Sequence, residues 1–475
     1  MACRTFILTD EGSAPHIRNA DTIRKIMPKK PTSQYVCQQC GAVHTKWAGR
    51  CDNCGSWNSL VEQAAQTGTN AVSTSQGKKL TTQPITEVMP SSAKGRIGTG
   101  IPDIDLVLGG GIVPASVVLI AGQPGIGKST VLMQLANEVS KTRKVLYVSG
   151  EESAGQVKVR ADRLGAEHEN LHLASSTSAD DIAATIATNE YELVVVDSIQ
   201  TLTLSAVSSA AGSVSQITNS SNLLTQAAKK TDTALIIVGH VTKEGSIAGP
   251  KILEHMVDVV VNLEGDRYGG FKLLRAIKNR YGSTNEVGIF EMQDTGLRPV
   301  DNPSAALLEE RTTTDGSVIL ATIEGNRPLL VEIQALVNPT HFGYPKRTAS
   351  GFDLNRLNVL TAVLERRTKL NLSDSDIYIN VVGGIKLQDP AADLAVCMAI
   401  ASASKQMQLD PKAVAFGEIG LGGEIRSVPH IDRRIGEAKK LGFTYAIGPK
   451  SNTKTAFLKP TASMRDALNS YLQKT

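Results

Sequence analysis

The stretch VVLIAGQPGIGKST, residues 117–130, decides the fold. Val117 to Ala121 is a short unbroken apolar run, the composition of a strand covered on both faces of a parallel sheet. Gly122-Gln123-Pro124-Gly125-Ile126-Gly127-Lys128-Ser129 then satisfies GxxxxGK[ST], and a helical pattern over STVLMQLANEVSK (129–141) follows directly. Glycine at these positions lets backbone N–H groups turn inward around a phosphate chain, and the start of the helix adds its positive end. Lys128 is placed to bridge the β- and γ-phosphates, and Ser129 to hold Mg2+. Gly122 through Thr130 are therefore read as an ATP-binding loop.

Working outward, VLYVS (145–149), LVVVD (193–197) and LIIVG (235–239) are further short apolar runs. They alternate with helical segments such as NLLTQAAKK (222–230), so the region reads as α/β with a sheet covered on both faces. Asp197 ends one of these strands and is the expected second Mg2+ holder. VLYVS runs into Gly150-Glu151-Glu152-Ser153. A carboxylate at this strand end can take the proton of a water in line with the γ-phosphate. Glu151 is the first choice and Glu152 the alternative.

A chain of 475 residues is too long for one core and implies two or three domains. Its net charge of +4 leaves any nucleic-acid contact to local patches. Aromatics, at 4%, are scarce for a single-strand binder built on stacking. No run reaches membrane-spanning length and the first residues lack a secretory apolar core, so the protein is read as cytoplasmic, with no membrane partner. Residues 1–32 show no period and are read as a flexible leader. Residues 33–60 hold Cys37-Gln-Gln-Cys40 and Cys51-Asp-Asn-Cys54, each pair followed by glycine. Four thiolates at that spacing suit a closed tetrahedral Zn2+ site. His44, between the pairs, is read as a surface residue because four cysteines fill the shell. Residues 61–84 are expected to be a linker rich in Gln, Thr, Ser and Gly. Residues 85–300 are expected to form the ATPase domain. Residues 301–475 are expected to form a separate domain, with strands in SVILATIEG, LLVEIQALV and DIYINVV and helices in FDLNRLNVLTAVLERR and ADLAVCMAIASASK.

The cysteine module, GQPGIGKS, VSGEES, GHVTKEG and Lys278-Asn279-Arg280-Tyr281-Gly282, taken together and in this order, resemble the bacterial RadA (Sms) family of DNA repair proteins from about residue 33 onward. The resemblance implies an α/β fold with a RecA-like P-loop ATPase core, an N-terminal four-cysteine zinc module and a C-terminal Lon-protease-like α/β domain. It implies a homo-hexamer that loads on single-stranded and branched DNA, hydrolyses ATP under DNA stimulation, and drives branch migration of strand exchange begun by the RecA recombinase, in recombination and in the response to DNA damage. On the same footing, His240 senses the γ-phosphate. Lys278 and Arg280 reach the ATP of a neighbouring subunit, where positive charge stabilises the phosphoryl transition state. Residues 205–216 and 243–251 suit DNA-contacting loops that track phosphates without reading bases.

Residues 301–475 resemble the proteolytic domain of Lon proteases, most clearly in Asp389-Pro390-Ala391-Ala392-Asp393 and in Gly417-Glu418-Ile419 through Gly423-Glu424-Ile425. Where that family carries a serine nucleophile and a lysine base, this chain carries Ala391 and Asp432. Neither can do that chemistry, so proteolysis is not expected. A scaffold for the ring and for DNA is expected instead, with Lys346-Arg347 and Arg366-Arg367-Lys369 as candidate phosphate contacts. Two other function classes compete. An ATP-dependent protease is opposed by the missing Ser–Lys pair. A scaffold using ATP only to assemble is opposed by the full set of Lys128, Ser129, Asp197 and Glu151.

Overall fold

Strands buried on both faces must be apolar at every position, and the central ones here are. The computed structural model describes residues 33–37, 42–53, 55, 57, 59–64, 82–87, 95–239, 252–265, 271–340, 343–451 and 455–474. Contacts divide the chain into two units, an N-terminal one whose described part ends at Ala64 and a second whose described part begins at Thr82.

In the N-terminal unit, β1 (Ser33–Cys37) pairs antiparallel with β2 (Val43–His44) and β3 (Leu60–Ala64), in the order β2-β1-β3. β3 pairs with β1 as far as Ala64, so regular structure continues past residue 60, where the sequence reading begins a linker. Cys37, Cys51, Ser59 and Leu60 are buried in this small core.

The second unit begins, among the described residues, with a single 3-10 turn at Ile85–Glu87. After α1 (Pro102–Leu108) come β4 (Val117–Gly122), α2 (Lys128–Ser140), β5 (Val145–Ser149), α3 (Ala154–Arg163), β6 (Leu171–Ser175), α4 (Ala179–Ala187), β7 (Leu193–Asp197), α5 (Val214–Lys230), β8 (Ala234–Val238), α6 (Ile252–Met256) and β9 (Val259–Gly265). The antiparallel strands β10 (Phe271–Asn279), β11 (Val287–Gln293) and β12 (Gly296–Pro299) extend this sheet. Its order is β12-β11-β10-β9-β4-β8-β7-β5-β6, parallel from β9 to β6. Alternation sorts each strand between two cores. Val118 and Ile120 pack with α1, α2 and α3 on one face, and Val117 and Leu119 pack with α4, α5 and α6 on the other. The four strands expected from the sequence, β4, β5, β7 and β8, are buried at every position.

Beyond α7 (Pro303–Leu308) lies a second sheet: β13 (Ser317–Glu324), β14 (Arg327–Pro339), β15 (Arg347–Ser350), β16 (Ser375–Val381), β18 (Ala413–Ala415), β21 (Tyr445–Gly448) and β22 (Leu458–Pro460), in the order β15-β16-β14-β13-β18-β21-β22. Two small pairs, β17 (Met407–Leu409) with β23 (Leu472–Lys474) and β19 (Glu418–Ile419) with β20 (Ile425–Arg426), stand beside it. The helices are α8 (Leu354–Thr368), α9 (Ala392–Lys405), α10 (Ile431–Lys440) and α11 (Met464–Tyr471). α9 is buried from Ala392 to Ser402, its small side chains allowing close approach to β13 and β14. This region is not packed apart from the ATPase sheet. Leu273, Val287 and Ile289, on one face of β10 and β11, belong to its core, while Leu274 and Phe290 belong to the core over α1 and α2. Arg327 pairs with Asp103 at 2.9 Å and Arg275 with Glu324 at 2.6 Å across the same junction.

Candidate active site

Parallel strands all end on one side, so the segments that follow β4, β5 and β7 meet there. Register places Ser149 beside Asp197, and Gly150 N donates to Asp197 O at 2.8 Å. The loop after β4 exposes Gln123, Pro124 and Gly125, while Ile126 and Lys128 are buried and Ser129 and Thr130 half-buried in the first turn of α2. Gly127 sits at the helix start with φ 114°, a conformation that disfavours any side chain, and Met292 Cε lies 2.9 Å from where a Cβ would stand. Lys128 Nζ folds back to donate to Gly122 O at 2.9 Å and Gln123 O at 3.0 Å. Burial pushes its ammonium below the ordinary lysine value, and the nearby carboxylates of Asp197 and Glu151 pull it back up. Cation and acids therefore share one electrostatic site.

Asp197, 8% exposed, accepts a hydrogen bond from Tyr147 Oη on Oδ2 at 2.7 Å. Burial, then Asp197, raises the Tyr147 phenol well above its usual range, so it stays a neutral donor. The two acids after β5 are separated by their partners. Ser198 Oγ donates to Glu151 Oε1 at 2.5 Å, beside Asp197. Glu152 turns the other way, into an ion pair with Arg160 of α3, and its N–H donates to Ser149 Oγ at 3.0 Å. Of the two, Glu151 is the one whose charge acts on Lys128. Sequence reasoning passed over Tyr147 and Ser198. Tyr147 read as an apolar strand position, and the only available signal was a hydroxyl on the face shared with Asp197.

Lys278 and Arg280 lie elsewhere. Asn279 pairs with Val259, which pairs with Val118, whereas Gly122 pairs with Leu263. Four residues of strand, about 13 Å at the usual rise, separate that level from the phosphate loop, and β9 intervenes sideways. Lys278 Nζ donates to Glu254 O at 2.7 Å and Val257 O at 2.8 Å, at the end of α6. Arg280 pairs at 3.0 Å with Asp258, a buried carboxylate that also accepts from Val117 N at 3.0 Å. Half of the Arg280 side chain, 52%, remains exposed. His240 and the stretch 243–251 lie outside the described residues. The stretch 205–216 is partly helical: α5 begins at Val214, and buried Gln216 accepts from Leu204 N and donates to Val207 O and Ser209 O. It is a pinned loop, not a loose one.

In the N-terminal unit Gly55 N donates to Cys51 O at 2.8 Å, with Gly55 at φ 74°, the tight turn expected after the second cysteine pair. Cys37 and Cys51 are each 1% exposed. His44 is not a surface residue. Its side chain is 17% exposed, with Nε2 3.5 Å from Cys51 Sγ. Cys40, Cys54 and the leader over 1–32 lie outside the described residues. Among the described residues no cluster of three or more His, Cys, Asp or Glu is placed to hold a metal ion.

In the C-terminal region Ala391 is fully buried and Asp432 exposed at the start of α10. The Arg347 guanidinium is taken up by the carbonyls of Lys346, Ser375 and Leu372. Arg366, Arg367 and Lys369 stay on the surface of α8 and its end. No described helix is long and apolar enough to cross a membrane.

A nine-stranded sheet, a glycine-rich loop running into α2 and two strand-end acids beside it define a P-loop ATPase core of the RecA-like class. A family profile described as AAA domain matches residues 82–246 of this core; beyond it, one described as Rubredoxin metal binding domain matches 35–62 and one described as Subunit ChlI of Mg-chelatase matches 355–452. A protein named DNA repair protein RadA from Halalkalibacterium halodurans is 47% identical over 431 residues, 90% of this chain and 94% of that one. Those of Listeria monocytogenes and Bacillus subtilis are each 48% identical, over 89% of this chain and 93% of theirs. A crystal structure of the RadB recombinase aligns with 43% of this chain and 100% of its own at 20% identity, TM-score 0.35. The chain belongs to the RadA family of DNA repair proteins.

Proposed function

We propose that this chain is a cytoplasmic, DNA-stimulated ATPase that works as a homo-hexamer on single-stranded and branched DNA, and that it drives branch migration of RecA-initiated strand exchange. The observation that carries the reading is the split between the two basic groups. Lys128 shares its site with Asp197 and Glu151, whereas Lys278 and Arg280 stand at the opposite end of the same sheet, on and after β10. A group so placed cannot serve the ATP of its own subunit, but suits delivery to a neighbour's, which links hydrolysis to motion between subunits.

In this reading the loop from Gly122 to Thr130 cradles the phosphates. Lys128 leaves its two loop carbonyls for the β- and γ-oxygens, and Glu151, aligned by Ser198, takes a proton from the attacking water. Ser129 and Asp197 present oxygen donors suited to Mg2+. When bound, that ion supplies neutralising charge to the phosphates. His240 acts as sensor. Cys37, Cys40, Cys51 and Cys54 hold structural Zn2+, for which the buried thiols of Cys37 and Cys51 and the Gly55 turn are the right chemistry. Ala391 offers no nucleophile, so the C-terminal domain is not a protease. The test is ATP turnover by the purified protein, alone and with single-stranded or branched DNA at fixed salt. Stimulation is expected. Turnover indifferent to DNA would overturn the motor reading.

A further inference from the structure

A cleft of about 320 Å³ lies where the phosphate loop meets the C-terminal domain. Gln123 and Ile126 of the loop and Asn262, Leu263 and Glu264 at the end of β9 form one wall. Ser350, Gly351, Gly384 and Lys386, all from the C-terminal domain, form the other. We propose that this cleft receives the base and ribose of the bound nucleotide, so that the C-terminal domain completes the nucleotide site within the same chain. The proposal rests on the ATPase reading above.

Topology points the nucleoside this way. β7 and β5, which carry Asp197 and Glu151, lie to one side of β4, and β9 lies to the other. A nucleotide whose γ-phosphate faces those two acids extends its nucleoside away from them, toward β9. The cleft there has an apolar floor of Ile126, Leu263 and Leu273, fit for the flat face of a base, and a polar rim. Small-molecule sites run from about 300 to 1,000 Å³, so this one suits a nucleoside and not a macromolecule. One rim group offers bonds to the sugar: Glu264, 40% exposed and 3.6 Å from Arg275 Nε, is an acceptor suited to the ribose hydroxyls, and Asn262 Nδ2 donates to its Oε1 at 2.8 Å. Lys386 is exposed at the mouth from the opposite wall. The walls are held in place by the shared core around Leu273 and by the Arg275–Glu324 and Arg327–Asp103 pairs, so the cleft is formed before any ligand arrives.

The experiment compares calorimetric binding of ADP and of inorganic pyrophosphate to the full chain and to Ser350→Phe and Lys386→Ala. Ser350 is exposed, so phenylalanine there fills the cleft without entering the core. Ser350→Phe is expected to weaken ADP by about tenfold or more, and Lys386→Ala by a smaller factor, with pyrophosphate bound as before. ADP affinity unchanged in both variants would overturn the proposal, and so would equal losses of ADP and pyrophosphate, which would place the damage at the phosphate loop. A parent protein that binds neither ligand would sink the ATPase reading itself, a different failure from one in which both bind normally and the variants change nothing.

Discussion

Replacing Tyr147 by phenylalanine removes one hydrogen bond from the centre of the site and almost nothing else. Tyr147 is 1% exposed in β5, and phenylalanine fills the same volume in the same rotamer. What goes is the 2.7 Å bond from its hydroxyl to Asp197 Oδ2. A hydrogen bond to a charged group is worth about 1.5–3 kcal/mol net. At about 1.4 kcal/mol per tenfold, its loss corresponds to ~12- to ~140-fold if all of it falls on the carboxylate's ability to hold Mg2+. Some will fall on folding instead, so the expected result is a rise of about tenfold in the Mg2+ concentration giving half-maximal ATP turnover. Metal-free ADP binding should be unchanged. The assay is steady-state turnover against Mg2+, with a melting curve alongside. A lower melting temperature with unaltered Mg2+ dependence would show that the bond only supports the fold and would refute the positioning argument.

Glu151→Gln should cut turnover by about 10²–10⁴-fold, the usual worth of a general base, while Glu152→Gln, which only loses its tie to Arg160, should leave turnover within a few-fold; the reverse ranking would move the base to Glu152. Arg280→Ala should keep ADP binding and lose turnover, and normal turnover there would remove the idea that it acts on a neighbour's ATP. Cys37→Ser should release zinc, read by elemental analysis of the purified protein, together with loss of order in the N-terminal unit; unchanged metal content would sink the zinc assignment. Burial raises the Glu324 carboxyl above the ordinary glutamate value against the pull of Arg275. A raised acid binds its proton more tightly when folded, so its contribution is full below the unfolded value of about 4.3 and is lost as pH rises through the folded one. Glu324→Gln should therefore lessen the fall in stability as pH rises above about 4.3, and identical stability–pH curves for the two proteins would contradict that environment.

Much of the core was legible because its signals are local. GQPGIGKS fixes a loop, a strand before it and a helix after it, and strands buried on both faces leave unbroken apolar runs. The different partners of Glu151 and Glu152 could not be read from sequence, because Ser198 and Arg160 are both brought in by folding. The start of α5 was missed for a different reason. Ser-Gln-Ile-Thr-Asn-Ser-Ser is rich in residues that favour turns, yet the helix runs through it because Ile217, Ser220 and Ser221 face a core built by distant strands. The same limit hid the shared core of β10 and β11. Leu273 and Leu274 are adjacent and both apolar, and nothing in the chain says that they face different domains.

The C-terminal region is knitted together around one turn. The turn from Asp389 to Asp393 holds one buried carboxylate, Asp393, and one nearly buried, Asp389, and a charge so placed persists only when paired and hydrogen-bonded. Asp389 pairs at 2.7 Å with Arg434, itself 1% exposed, and accepts from Thr322, Ile323 and Ala391. Asp393 is gripped by the Arg356 guanidinium and accepts from Ile419 N. Ala391 lies between them, its carbonyl accepting from Gly417 N at 2.8 Å. Where a protease needs an exposed nucleophile and a neutral amine, this turn has a sealed methyl group and two ion pairs that tie α8, α9 and α10 together. Breaking either pair would strand a buried charge, so the arrangement resists deformation. The domain's other face shares a core with β10 and β11, and β10 adjoins β9, the neighbour of β4. Because Leu273, Val287 and Ile289 are buried in that shared core, β10 and β11 cannot move apart from the C-terminal domain without exposing apolar surface to water.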